Sequence, residues 1–458
     1  MVTTPLYSGA SPEEVAADVE LLVDFQNEGI PLEDLKNLVD NRLVPHLMMY
    51  DQPGFQSMFN TFPERGAEFG AQIALKYNQG VTNWQVSPGG VVLEELCCKA
   101  LCNLFGFSRN SDATFMYSGT YANQEALYLA LHWKAEQYGF NLGEKGLHGF
   151  PDPSQLAVIT SCDAHFSVKH AVRMLGLGDS NLVTVPVDEN RRINLVLLEK
   201  TLDELQKDVF CVIATTGTTS TGSVDPVLPI AELCTKRGAW LHVDGAYGLA
   251  YMLVPEWKPL FSGVERADSV CWDPHKQMGV PIPNSLLFVR RREDFHRMAL
   301  YSDYFNREED TEPNPGLKSP PSTRPFSALP LVTSLRYQGL TTVIERLRAP
   351  LMAIKTTAEI LEDDVDIDVC HNPDTGILCF RITPEHVPEP QLNQLQTFIY
   401  TKIMAEGKRS ISLTTLDGKT VLRLVVISPA ATSEALLETI SHVRALASEH
   451  QMSQSPYV

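Results

Sequence analysis

WLHVDGAYG, residues 240–248, is the stretch on which the reading of this chain turns. Four mostly apolar residues give way to an acid followed by small residues, the pattern of an interior strand that stops at a polar edge. SVCWDPHK, residues 269–276, repeats the arrangement with Asp273-Pro274-His275-Lys276 at its end. Working outward, short β-rich runs recur at Thr114–Tyr117, Leu156–Thr160, Leu182–Val187, Val209–Ala214 and Leu286–Val289, alternating with helical stretches. Such alternation predicts an α/β fold with a largely parallel, seven-stranded sheet.

In open parallel sheets, ligands bind beyond the carboxyl ends of the strands, so the residues after each run are the site candidates. Ser118-Gly119-Thr120-Tyr121-Ala122-Asn123 follows the first run and leads into a helix; Asp163 and His165 follow the second. Thr215-Thr216-Gly217-Thr218-Thr219 follows Val209–Ala214, Asp244 with Ala246 follows Trp240–Val243, and His275 with Lys276 follows Ser269–Trp272. Five strand ends therefore direct hydroxyls, an acid, two histidines and a lysine towards one crevice.

Each residue has a plain reading beside the chemical one. A lone lysine is usually a solvated surface charge, but Lys276 follows a buried strand, and partly buried lysine is the usual Schiff-base former. Asp244 is either the N-cap of the next helix or the partner of a protonated pyridine nitrogen. Ala246 is small enough to admit a flat ring. Ser118, Gly119 and Thr120 make either an ordinary strand-to-helix turn or a phosphate site at a helix start. His165 is a satisfied interior histidine or a stacking partner, and only the joint arrangement favours the second.

Composition narrows the classes. The formal charge is −19 with no long Lys/Arg run, which disfavours nucleic acid and anionic membranes as partners. Nine cysteines, none in a CxxC pair, suit buried thiols in a reducing compartment and give no metal or redox motif. The N-terminus lacks the basic and apolar regions of a secretion signal and no apolar run spans a bilayer, so the expected location is cytoplasmic.

Residues 11–44 read as amphipathic helices opened by Ser11-Pro12-Glu13-Glu14, and residues 88–105 as a helix after Pro-Gly-Gly. The proline-rich stretch 313–330 is an irregular connection. Beyond it come long helices at about 328–364, strand-like Gly376–Ile382 and Thr420–Ile427, and a helix at 433–449, together a smaller α+β domain. The expected division is an N-terminal helical arm over 1–60, a large domain over 61–318 and a small C-terminal domain over 319–458.

These residues resemble the pyridoxal-phosphate-dependent group II amino-acid decarboxylases, the glutamate, aromatic-amino-acid, cysteine-sulfinate and diaminobutyrate enzymes. ADSVCWDPHKQMGVP is similar to their Schiff-base lysine motif, WLHVDGAYG to their pyridinium-binding strand, and LRLVVISPAATSEALLETI to their closing strand and helix. The resemblance runs from about residue 50 to 447. It implies pyridoxal-phosphate fold type I, pyridoxal 5'-phosphate as cofactor, and a homodimer with its site at the subunit interface. The implied reaction is decarboxylation of an amino acid to an amine, with oxidative deamination to an aldehyde or transamination as the alternative on the same fold.

Residue by residue, the resemblance makes Lys276 the Schiff-base lysine, Asp244 the pyridinium partner, Ala246 the ring neighbour and His165 the stacking histidine. Ser118, Gly119, Thr120 and His275 fall on phosphate positions, and Thr219 near ring and substrate. Tyr304 matches a loop tyrosine that protonates the substrate carbon, with Tyr301 as runner-up. Asn60, Thr61, Arg324 and Arg423 are the candidates for substrate contact. Two departures stand out: Asp273 replaces the usual asparagine before Pro274, and Met58 stands where glutamate decarboxylases carry a glutamine.

Overall fold

A computed structural model describes residues 5–303, 306–309, 311–385 and 387–454. Seven strands form the larger sheet: β1 (Asp112–Met116), β2 (Leu156–Ser161), β3 (Leu182–Val185), β4 (Asp208–Thr215), β5 (Trp240–Asp244), β6 (Ser269–Trp272) and β7 (Ser285–Val289). Their order is β1-β7-β6-β5-β4-β2-β3. Only β7 runs against the rest, so the expected α/β sheet of mostly parallel strands is what the chain forms. β2, β5, β6 and β7 are buried along their whole length, the condition that produces continuous apolar runs instead of alternation.

The helix Gly119–Gln137 lies against this sheet and buries residues on nearly every side, among them Ala122, Ala126, Leu127, Ala130 and Leu131. Ser118 caps it, its Oγ accepting from Tyr121 N at 3.2 Å. The helix Phe166–Met174 packs beside it and is capped by His165. The helix Pro88–Leu104 begins with proline at its first position, as its sequence predicts.

Two compact units emerge, and they divide differently from the expectation. One comprises Pro63–Arg348; the other joins Met1–Phe62 to Ala349–Val458. The proline-rich connection and the first part of the long helix Ala328–Glu362 thus belong with the larger unit. That helix is interrupted at Gly339, whose φ of 71° only glycine adopts readily.

In the smaller unit, β8 (Ile367–Val369), β9 (Ile377–Ile382), β10 (Ser412–Leu416) and β11 (Lys419–Val425) form an antiparallel sheet in the order β10-β11-β9-β8. The helices Glu389–Glu406 and Ser433–Gln454 cover it. The N-terminal segment is tied to this unit by backbone bonds, Leu6 N to Gly407 O at 2.7 Å and Gln56 N to Ser410 O at 2.9 Å. Among the described residues, no helix is long and apolar enough to cross a membrane.

Candidate active site

The carboxyl ends of β4, β5 and β6 lie side by side, with Thr215 paired to Asp244 and Asp244 to Cys271 in register. Asp244 is buried, and three donors converge on its carboxylate. Asn123 Nδ2 lies 2.8 Å from Oδ2, while Ala246 N and the Cys271 thiol reach Oδ1 at 3.2 Å each. Burial pushes this carboxyl up, but the Lys276 charge, then His242 and His165, and the Asn123 bond together hold it below the usual range. Asp244 is therefore a buried anion at neutral pH.

A polar layer stands behind it. Asn123 Oδ1 meets His242 Nε2 at 2.9 Å, and His242 Nδ1 meets Ser269 Oγ at 2.9 Å. Asn123 Nδ2 also reaches Ser167 Oγ at 2.9 Å, which in turn lies 2.8 Å from His165 Nδ1. Burial lowers His242 to about 4 and lowers His165 as well, with the Asp244 charge working against it at both rings. Burial first and the Asp244 charge second push the Cys271 thiol well up, which keeps it a donor. Sequence reading named Asp244 and His165 and gave Asn123 a place after the first strand without a role, but missed Ser167, His242 and Cys271. The available signal was strand alternation: His242 lies two residues before Asp244 and so on the same face of β5.

Lys276 closes a single turn after β6, its N–H bonded to Asp273 O at 3.0 Å. The lysine Nζ returns to Asp273 Oδ2 at 3.1 Å, and Ser285 Oγ donates to Asp273 Oδ1 at 2.7 Å. His275 Nδ1 is 2.6 Å from Asn284 O, which fixes its ring, and its Nε2 is 3.8 Å from Asp273 Oδ2. Asp273 also packs against the start of the helix Gly119–Gln137: a Cβ on Gly119 would lie 2.7 Å from Asp273 Oδ2. Glycine is needed there for that reason.

The larger unit thus brings Lys276, Asp244, His165, Ala246, Ser118, Gly119, Thr120 and His275 onto the carboxyl edge of one sheet, with Thr219 half-buried in the turn after β4. Arg324 is placed otherwise. It is buried, with its Nε 3.0 Å from Val81 O and its Nη2 3.2 Å from Thr114 Oγ1, and it bonds Ser319 and pairs with Glu94. These bonds hold the Arg324 guanidinium in place inside the larger unit.

In the smaller unit, Arg423 Nε donates to Ser412 Oγ at 2.8 Å and Nη2 to Ser57 O at 3.2 Å, while the guanidinium lies 5.7 Å from the Phe59 ring centre. Arg423 and the segment leading into Asn60 and Thr61 therefore come together. Tyr304 lies outside the described residues; Tyr301 is exposed. A cavity of about 990 Å³ in the larger unit is lined by Glu125, Tyr128, His132 and Arg297 among others. Among the described residues, no cluster of three His, Cys, Asp or Glu side chains is arranged to hold a metal ion.

The arrangement can hold a flat, cationic heteroaromatic ring by its nitrogen on Asp244, anchor an anion at a helix start, and offer an amine for covalent attachment. These are the needs of a phosphorylated pyridine aldehyde, and the residues fit it: the buried anion is already ionised and Ala246 leaves room for a ring face.

A family profile described as "Pyridoxal-dependent decarboxylase conserved domain" matches residues 12–383. The chain is 28% identical over 380 residues to L-2,4-diaminobutyrate decarboxylase of Acinetobacter baumannii, covering 80% of this chain and 74% of that one. It is 26% identical over 460 residues to aromatic-L-amino-acid decarboxylase of Bacillus atrophaeus, covering 97% and 92%. In fold it is similar to the glutamate decarboxylase domain of a Vibrio parahaemolyticus diaminobutyrate-pyruvate transaminase and L-2,4-diaminobutyrate decarboxylase. That match has a TM-score of 0.87 at 24% identity, with 98% of this chain and 92% of that chain covered.

Proposed function

The chain belongs to the pyridoxal-dependent decarboxylase family and is a pyridoxal-phosphate-dependent amino-acid carboxy-lyase; we propose that it carries the cofactor on Lys276 and converts an L-amino acid into the corresponding amine and carbon dioxide. The observation that carries this reading is the buried, ionised Asp244 at the end of β5, within electrostatic reach of Lys276.

When bound, pyridoxal phosphate supplies an electron sink that accepts the electron pair of the bond from Cα to the carboxylate. The chain's residues make that sink effective. Asp244 holds the proton on the ring nitrogen, and its three donors fix the carboxylate so that it neither rotates nor needs to reorganise. His165, steadied by Ser167, would offer its imidazole face to the cofactor ring, and Ala246 is small enough to admit that ring. Ser118, Gly119 and Thr120 present the start of a 19-residue helix to the phosphate, with His275 beside them.

Arg423, with Asn60 and Thr61, is the substrate-side candidate. Tyr304 remains the proposed proton donor to Cα. A homodimer with the site at the subunit interface and a cytoplasmic location belong to the same reading, which the resemblance supports.

Borohydride reduction of the holoenzyme followed by peptide mapping tests the site. The pyridoxyl group is expected on Lys276, and Lys276→Ala is expected to lose the visible absorbance of the bound cofactor. Label on any other lysine would sink the assignment. A panel of amino acids scored for carbon dioxide, ammonia and hydrogen peroxide then separates amine formation from aldehyde formation and from transamination.

A further inference from the structure

Asp273 has no part in the chemistry described so far, yet it sits at its centre. Its side chain is 4% exposed, and both carboxylate oxygens are engaged, Oδ1 by Ser285 and Oδ2 by the Lys276 ammonium at 3.1 Å. The same carboxylate touches Gly119, the first residue of the helix whose positive end is the natural seat of a phosphate. A carboxylate and a phosphate at one helix start repel each other, and a low-dielectric site strengthens that repulsion.

We propose that Asp273 is a positioning residue that competes with the cofactor phosphate: it holds Lys276 and the helix start by charge, and it opposes the phosphate when the cofactor binds. The proposal rests on the cofactor site assigned above. The ion pair orients the lysine amine towards the strand end, one turn from where β6 stops, and the Ser285 hydroxyl prevents the carboxylate from turning away. The negative charge therefore stays next to Gly119 whichever group Lys276 holds.

The test uses the full-length apo-protein, freed of cofactor, in three forms: wild type, Asp273→Asn and Ser285→Ala. Affinities are measured for pyridoxal phosphate, for pyridoxal without phosphate, and for inorganic phosphate alone. Removing the charge is expected to tighten inorganic phosphate and to raise the preference for pyridoxal phosphate over pyridoxal by ~10-fold or more, the scale on which one close charge shifts another's equilibrium. Any gain that comes only from a freer lysine would move pyridoxal and pyridoxal phosphate together, so the ratio isolates the phosphate. Ser285→Ala keeps the charge but frees the carboxylate to turn from Gly119, and is expected to move the ratio part of the way towards that of the charge-free variants. Asp273→Ser, smaller and also uncharged, gives the same change should the isosteric variant fail to fold. An unchanged ratio, or unchanged phosphate affinity, in both charge-free variants overturns the proposal. Pyridoxyl label away from Lys276 would sink the site assignment and the role of Asp273 with it.

Discussion

Asn123 and Asp244 are 121 positions apart in sequence, yet the Asn123 amide donates to the Asp244 carboxylate at 2.8 Å inside the core. The oxygen of the same amide accepts from His242 Nε2, which fixes that imidazole nitrogen as the donor, and the amide nitrogen also reaches Ser167.

Asn123→Leu removes both faces of that amide at once. His242 Nε2 and one lone pair of Asp244 are then buried without a partner, at about 1–3 kcal/mol each. We expect a clear drop in the melting temperature of the apo-protein, measured by circular dichroism, together with weaker cofactor retention. A variant as stable as wild type would show that the network is not what fixes the acid.

Asp244→Asn keeps the shape and removes the charge. Three donors point at the native carboxylate, so the new amide nitrogen must face one of them. The charge-assisted bond to the ring nitrogen, worth roughly 1.5–3 kcal/mol, is lost as well. Turnover is expected to fall by at least ~10–100-fold, one factor of ten per 1.4 kcal/mol, while part of the cofactor stays bound. Near-normal kcat would contradict the electron-sink role.

Glu125 gives the protein a pH signature. Burial pushes its carboxyl up to about 7, and its Oε2 has no hydrogen-bond partner. A carboxyl raised in the fold stabilises most below its unfolded value near 4.5, and the benefit is lost as pH rises through about 7. Glu125→Gln mimics the protonated form. It is expected to match wild type near pH 5 and to be more stable near pH 8 by on the order of 3 kcal/mol, read from denaturant midpoints. Equal stabilities at pH 8 would mean that the charged carboxylate is solvated after all.

Tyr304→Phe tests the loop proton donor proposed from the sequence. Carbon dioxide loss should survive because the phenol is needed only afterwards. Protonation of the substrate carbon should slow by the ~10²–10⁴-fold typical of a lost general acid. The product should then shift from amine towards aldehyde, with dioxygen as the two-electron oxidant reduced to peroxide and water releasing the aldehyde and ammonia. Amine alone at the wild-type rate would move the role to Tyr301.

Much of this was legible because the chemistry sits in short contiguous words. Asp244 and Ala246 follow one buried strand, and His275 and Lys276 follow another, so strand pattern and residue type point the same way. The layer behind them was not legible. His242 and Cys271 look like ordinary members of apolar strands, and only the pairing of β5 with β6 puts Cys271 opposite Asp244. Strand β10, SLTTL, is half polar and short, and β8 has three residues, too little for alternation to register. The partners of Arg324 were hidden for a different reason. An arginine in a proline-rich stretch looks available to solvent or substrate, and nothing local announces that Glu94 waits in a helix 230 positions earlier. The N-terminal segment likewise reads as a separate helical arm, and its backbone bonds to Gly407 and Ser410 are not visible in the sequence.

The Arg324–Glu94 pair also limits the routes by which this chain can diverge. Changing either member alone strands a charge in the core at about 3–5 kcal/mol, a large share of the ~5–15 kcal/mol that holds a typical protein folded. Replacing both by well-packed apolar residues is near neutral, but single steps towards that state cross a destabilised intermediate. The arginine therefore stays because no single mutation releases it.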